Sequence, residues 1–202
     1  MTDRGVVFDI GGVLEYTASH SVRTGKWAQR LGIPQEDFDA RLAQVWEDGS
    51  YGRITEAQVH TRIGEILEID QATVDAFMAD NWVAYLGTVN TELLAYFRSL
   101  RSRCPTGILS NSFVGARERE HGPLGLDGLC DIIVYSHEVG FYKPEPEIYA
   151  LTCERLGLPA ARVAFLDDYP EYLSGAQAVG MHAIPFTDNA SAIQAIEAWL
   201  SG

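Results

Sequence analysis

Short apolar runs that each stop at a polar residue open the chain and recur along its second half, and this rhythm constrains the fold more than any other feature. Val6-Val7-Phe8 ends in Asp9-Ile10-Gly11-Gly12. Gly107-Ile108-Leu109 leads into Ser110-Asn111-Ser112, Asp131-Ile132-Ile133-Val134-Tyr135 precedes Lys143, and Val163-Ala164-Phe165-Leu166 runs into Asp167-Asp168. Runs of this length that are apolar throughout suit strands buried on both faces. Helical signals separate them after residue 104. Pro144 and Pro146 precede one helix, Pro170 opens another that ends near Gly180, and residues 189–200 form a last one. His182-Ala183-Ile184-Pro185-Phe186 is a weaker strand, and Pro185 suggests a sheet edge. Alternation of this kind implies an α/β fold: a parallel sheet, right-handed crossovers and helices on both faces.

The stretch from about residue 19 to 101 has a different rhythm. Pro34 stands where a first helical turn begins, with Phe38, Leu42 and Val45 following at helical spacing. Thr55-Glu56-Ala57-Gln58 spells a capping box, flanked by Ile54 and Val59 as a hydrophobic staple. Val59, Ile63, Ile66 and Leu67 continue that helix. Asp70 is placed to cap the next, which carries Val74, Phe77 and Met78, and Leu93, Leu94, Phe97 and Leu100 mark a further one. Residues 16–88 therefore read as an all-helical cap inserted after the first strand. Residues 1–15 and 89–202 read as the core.

In open sheets of this class, ligands bind at the carboxyl ends of the strands. Asp9, Ser110, Lys143 and the Asp167-Asp168 pair all fall there or in the loop just beyond. Each alone has a bland explanation, such as a turn, a helix cap or an exposed loop. Their joint placement suits phosphoryl transfer. An aspartate is ionised at neutral pH and attacks phosphorus without a general base. Its obstacle is repulsion from the phosphate dianion, which Mg²⁺ bridging the carboxylate and a phosphoryl oxygen would remove. Mg²⁺ needs few protein oxygens, and Asp168 can supply a second carboxylate. Ser110 can donate to a phosphoryl oxygen, and Lys143 can balance remaining charge.

Charge excludes other classes. With 28 acidic and 15 basic side chains, the formal net charge is −13. That argues against nucleic acid or anionic membrane as partners. It also means that an anionic substrate needs a cation at the site. Cys104, Cys130 and Cys153 form no metal or disulfide pattern and read as reduced thiols. No leader-like or membrane-spanning apolar stretch is evident, so a cytoplasmic location is expected.

The motifs resemble those of haloacid dehalogenase-like hydrolases. Phe8-Asp9-Ile10-Gly11-Gly12-Val13-Leu14 is similar to their first motif and Ile108-Leu109-Ser110-Asn111 to their second. The segment from Gly140 to Tyr149 around Lys143-Pro144 is similar to the third, and Phe165-Leu166-Asp167-Asp168 with Gly175-Ala176 to the fourth. The resemblance implies a Rossmann-like core and an acyl-phosphate intermediate on Asp9. It implies phosphate binding by Ser110, Asn111 and Lys143, and Mg²⁺ held by Asp9, the main-chain carbonyl of Gly11 and Asp168. Asp167 would be a more distant or water-mediated ligand. The expected substrate is a small phosphorylated metabolite.

Two departures stand out. Gly11 occupies the position where the family's phosphatases usually carry a second Asp, and Tyr172 stands where Asn is common. Glycine can offer its carbonyl but cannot transfer a proton, and general acid–base assistance is worth roughly 10²–10⁴ in rate. A slow enzyme, or one suited to good leaving groups, is expected. Glu15, Tyr16 and His20 are candidate substitutes for the acid. Trp46, Tyr51 and Arg23 are candidate cleft residues, with cap core or solvated surface as the plainer reading. The Asp-Asp pair disfavours metal-free dehalogenases. An actin-like kinase would need two large halves, and a receiver domain would place its acidic pair first. The remaining rival is a non-enzymatic binder of a phospholigand or a protein partner.

Overall fold

A computed structural model describes residues 3–17 and 20–202, apart from the side chains of residues 20–23. Its centre is a parallel five-stranded sheet of β1 (Gly5–Phe8), β4 (Thr106–Ser110), β5 (Ile132–Tyr135), β6 (Val163–Asp167) and β7 (His182–Pro185), in the order β5-β4-β1-β6-β7. The first strand thus sits in the middle, registered Val6↔Thr106 on one side and Val6↔Ala164 on the other. Side chains alternate across the pleat. Val6 and Phe8 of β1, Ile108 of β4 and Leu166 of β6 face one apolar cluster, while Val7, Leu109 and Phe165 face another. Helices α5 (Thr91–Leu100) and α10 (Asn189–Ser201) supply the first cluster. Helices α8 (Pro146–Leu156) and α9 (Pro170–Ala178) supply the second. Phe8 and Phe97 meet with ring centroids 4.4 Å apart, fixing α5 on the middle strand. As Pro185 suggested, β7 lies at the edge, bonded to β6 alone.

Between β1 and β4 the chain leaves the sheet. Strands β2 (Glu15–Tyr16) and β3 (Thr88–Val89) pair antiparallel and form a neck. Beyond it stand α1 (His20–Leu31), α2 (Gln35–Ser50), α3 (Glu56–Leu67) and α4 (Gln71–Leu86). The caps read from sequence are present. The Thr55 side chain accepts from Gln58 N while the Gln58 side chain accepts from Thr55 N, and Asp70 accepts from Thr73 N. The four helices enclose their own cluster around Phe77, whose ring meets Trp27 at 5.6 Å and Phe38 at 5.7 Å.

This cluster continues into the core domain through Phe113, in the loop after β4. Here the cap approaches as closely as sterics permit. A Cβ on Gly49 of α2 would lie 2.1 Å from the Phe113 ring. Gly49 O accepts from Val114 N at 3.2 Å, and Ser50 O accepts from Ser136 Oγ at 2.9 Å. Two short helices went unread in the sequence: α6 (Ala116–Leu124) and α7 (Ser136–Val139). Among the described residues, no helix is long and apolar enough to cross a membrane, and the three cysteines are free.

Phe77→Ala removes the ring on which the four-helix cluster closes. A loss of about 3–5 kcal/mol is expected for such a truncation in a dense core. Chemical denaturation measures it, and a loss below about 1 kcal/mol would show that the cluster does not hold the helices together.

Candidate active site

The carboxyl edge of the sheet gathers the titratable groups. Asp9 follows β1 directly and is tied to the neighbouring strand by its own N–H, which donates to Leu166 O at 2.9 Å. Asp167 ends β6, and Asp168 follows it. The turn after Asp9 folds back tightly: Gly12 N donates to Glu15 O at 2.7 Å, and Glu15 N donates to Ile10 O at 2.9 Å. Gly12 has φ +78°, a conformation that favours glycine, and a Cβ there would lie 2.2 Å from Asp168 Oδ2. The missing side chain is the space that the Asp168 carboxylate uses.

Lys143 is completely buried, and its ammonium bridges two acids, 2.9 Å from Asp9 Oδ1 and 2.7 Å from Asp167 Oδ2. It also lies 4.8 Å from the centre of the Tyr172 ring and 5.2 Å from that of Phe165, faces that favour a cation. Its position is set by Asn111. The Asn111 amide nitrogen donates to Lys143 O at 3.0 Å, and its oxygen accepts from Lys143 N at 2.7 Å. The Asn111 side chain is thereby committed to the lysine's main chain. Asp167 also accepts from Tyr169 N at 2.7 Å, so its carboxylate is held on two sides.

Carboxylate oxygens of Asp9, Asp167 and Asp168 lie within 4.8 Å of one another. Burial pushes the Asp9 carboxyl up to about 8 against the pull of the Lys143 ammonium, and the Asp167 charge adds to the rise. Asp168 is more exposed, yet partial burial and the Asp167 charge raise it too. Lys143 is itself raised, because the two carboxylates outweigh its own desolvation. When all are ionised, three carboxylates face one ammonium. This donor set fits a hard divalent cation: oxygen ligands, close together, carrying an excess of negative charge. Asp167 has one oxygen on Lys143 and the other on Tyr169 N, whereas Asp9 meets Lys143 through Oδ1 alone, so Asp9 and Asp168 have the freer oxygens.

A cavity of about 360 Å³ opens beside this cluster, between the cap helices and the sheet edge. Gly11, Ser110 and Asn111 border it from the core, and Trp46 and Trp82 from the cap. Of the groups considered as substitutes for the absent acid at position 11, Glu15 lines the cavity, while Tyr16 is 51% exposed. The side chains of His20 and Arg23 fall outside the described residues. Trp46 reaches the cavity, whereas Tyr51 stacks on Tyr142 and donates to Glu145. Sequence reasoning missed Asn81, Tyr85, Ser112, Tyr142 and Glu120, which also line the cavity. Glu120 sits in the Arg-Glu-Arg-Glu-His stretch of α6, which reads as a solvated face.

A model of the haloacid dehalogenase-like hydrolases matches residues 4–180. A phosphatase of Mycobacterium tuberculosis is 27% identical over 194 residues, covering 91% of this chain and 87% of that protein. A predicted hydrolase of the same superfamily from Porphyromonas gingivalis superposes with a TM-score of 0.82 at 24% identity, covering 98% of each chain. A family enzyme from Bacteroides thetaiotaomicron, solved in complex with magnesium and inorganic phosphate, superposes with a TM-score of 0.74 at 20% identity. It covers 91% of this chain and 94% of that one. A match over this span, on a site built as described, means that the chain belongs to the haloacid dehalogenase-like hydrolase family.

Proposed function

We propose that the protein is a Mg²⁺-dependent phosphatase of a small phosphorylated metabolite and that Asp9 is its nucleophile. The observation that carries this reading is the buried Asp9–Lys143–Asp167 triad, with Asp168 beside it, next to a cavity that Gly11, Ser110 and Asn111 border. A structural ion pair needs one acid per base. Here three acids gather round one base, an arrangement that is electrostatically unfavourable until a cation arrives.

Asp9, Asp168 and the carbonyl of Gly11 would hold Mg²⁺, with Asp167 farther from the ion. When bound, the ion supplies positive charge that keeps Asp9 ionised and offsets the charge of the phosphoryl oxygens. The chain's own groups do the rest. Ser110 and Lys143 bind phosphoryl oxygens, and Asn111 contributes by fixing Lys143. An Asp9 carboxylate oxygen forms a bond to phosphorus as the ester P–O bond breaks. The bonding pair leaves on the alkoxide, which takes a proton. Water then attacks the aspartyl phosphate, the bond to Asp9 breaks, and inorganic phosphate departs with the carboxylate restored.

Asp9→Asn removes the nucleophile while keeping its shape. Phosphate release from a metabolite panel is expected to require Mg²⁺ and to fall to background in the variant. Equal turnover with and without the metal, or in the variant, would refute this role. Panel-wide silence, with a phosphoanion mimic still binding tightly, would favour a non-catalytic binding protein instead.

The absent acid at position 11 gives a second test. A Cβ on Gly11 would meet nothing nearer than Thr17 Oγ1 at 3.9 Å, so the backbone has room for a side chain. Gly11→Asp is expected to raise kcat for alkyl phosphates about tenfold or more relative to p-nitrophenyl phosphate, whose leaving group needs little protonation. An unchanged ratio would show that leaving-group protonation does not limit the wild type.

A further inference from the structure

The cavity contains two acids that phosphoryl transfer leaves unused. Glu15, in the neck strand β2, is 1% exposed, and Glu120 of α6 is fully buried; both line the cavity. Neither carboxylate oxygen of Glu15 has a hydrogen-bond partner among the described residues, and neither does Oε1 of Glu120. Glu120 Oε2 accepts from the Tyr135 hydroxyl. Buried polar atoms are nearly always satisfied, so three orphaned carboxylate oxygens around one cavity point to something that enters it. Burial, reinforced by the nearby Glu120 charge, pushes Glu15 up to about 8, and burial pushes Glu120 up to about 7.

By itself, the cavity thus favours the neutral form of both carboxyls, and a cationic donor is the occupant that would ionise them. Among the described residues lining the cavity there is no Lys, Arg or His, and the charge of Arg117 acts on Glu120 from outside that lining. The two glutamates also belong to no metal-binding cluster among the described residues. A hydroxyl brings one proton and no charge, so it would give no Coulombic gain to an ionised carboxylate. A primary ammonium brings three N–H donors and a positive charge. Three donors match three vacant acceptors. Trp46 and Tyr85 line the same cavity and offer ring surfaces that favour a cation. Gly11 and Ser110, beside the nucleophile, border the same space, so one small molecule can reach both groups.

We propose that Glu15 and Glu120 form an ammonium subsite and that the preferred substrates are phosphate monoesters bearing a primary amine. The proposal rests on the phosphatase reading for its phosphate end, and it deepens that reading by naming the other end of the substrate.

Matched ester pairs test it: O-phosphoethanolamine against ethylene glycol monophosphate, and glucosamine 6-phosphate against glucose 6-phosphate. In the wild type, kcat/KM is expected to favour the amine in at least one pair by about tenfold or more, the range for charge-assisted hydrogen bonds. Glu15→Gln and Glu120→Gln should each shrink that ratio toward unity. A purely structural role would lower both members of a pair alike and leave the ratio standing. Calorimetric affinities of non-hydrolysable phosphonate counterparts of the same pairs for the Mg²⁺-loaded wild-type protein read the subsite without turnover. Equal kcat/KM and equal affinity within both pairs would overturn the subsite while leaving the phosphatase intact. Amine-selective binding without hydrolysis of any ester would instead overturn the phosphatase and keep the subsite.

Discussion

A lysine ammonium with no access to solvent, held between two carboxylates, is the interaction around which this molecule is arranged. Taking Lys143 out of water costs several kcal/mol, and only well-placed partners offset it. Asp9 and Asp167 provide them at 2.9 and 2.7 Å. They can do so because β1 and β6 are adjacent and parallel, registered Phe8↔Leu166, so their next residues emerge side by side at the same sheet edge. The lysine arrives from a loop instead of a strand, and Asn111 bonds to both main-chain groups of Lys143 to hold it there. Removing the lysine would leave buried acids facing one another. Removing Asn111 would loosen the lysine without touching its charge.

The cluster is overcharged by design of its composition: with Asp168 included, acids outnumber the base three to one. Burial raises Asp9 to about 8, a value at which a nucleophilic carboxylate would be largely protonated near neutral pH. In the proposed mechanism, Asp9 would therefore depend on a cation for its ionised form. That dependence connects the geometry of the turn to the chemistry. Glycine at position 12 admits the Asp168 carboxylate into space that any side chain would fill. A residue with a Cβ would strain the turn at φ +78° and displace one of the two freer oxygen donors.

How much of this could be read from the chain varies with the physics behind each element. Strands buried on both faces write themselves as unbroken apolar runs, and the helix starts at Thr55 and Asp70 carry cap chemistry that acts within four residues. The placement of Asp9, Ser110 and Asp167 at strand ends was legible for the same reason, since it follows from the strands. The cavity beside them was not. It forms where α2 and α4 of the cap meet α6 and the loops after β1 and β4, and such contacts leave no local periodicity. Glu120 shows the difficulty best. In sequence it is one charge in a highly polar helix, yet it is fully buried against Tyr135. Helix α6 itself was missed because Arg117 to Pro123 contains no apolar side chain to mark a buried stripe. The pairing of β2 with β3 was missed because two-residue strands show no alternation.

Net charge links the cavity to the rest of the molecule. At −13, the surface repels a phosphate dianion during approach. Salt screens that field over about 8–10 Å, so binding is decided by the nearest charges. Along the cavity those charges are of two kinds. Next to it are acids suited to a metal, and in its wall are Glu15 and Glu120, with no Lys, Arg or His among the described lining residues. A phosphate ester bearing an ammonium carries one less negative charge than its hydroxyl analogue, so it meets weaker repulsion outside. Inside, it would bring a positive charge that the described lining residues do not supply. With the proposed ammonium subsite, the same excess of acid that makes the chain a poor host for ordinary anions would become a basis for selecting zwitterionic ones.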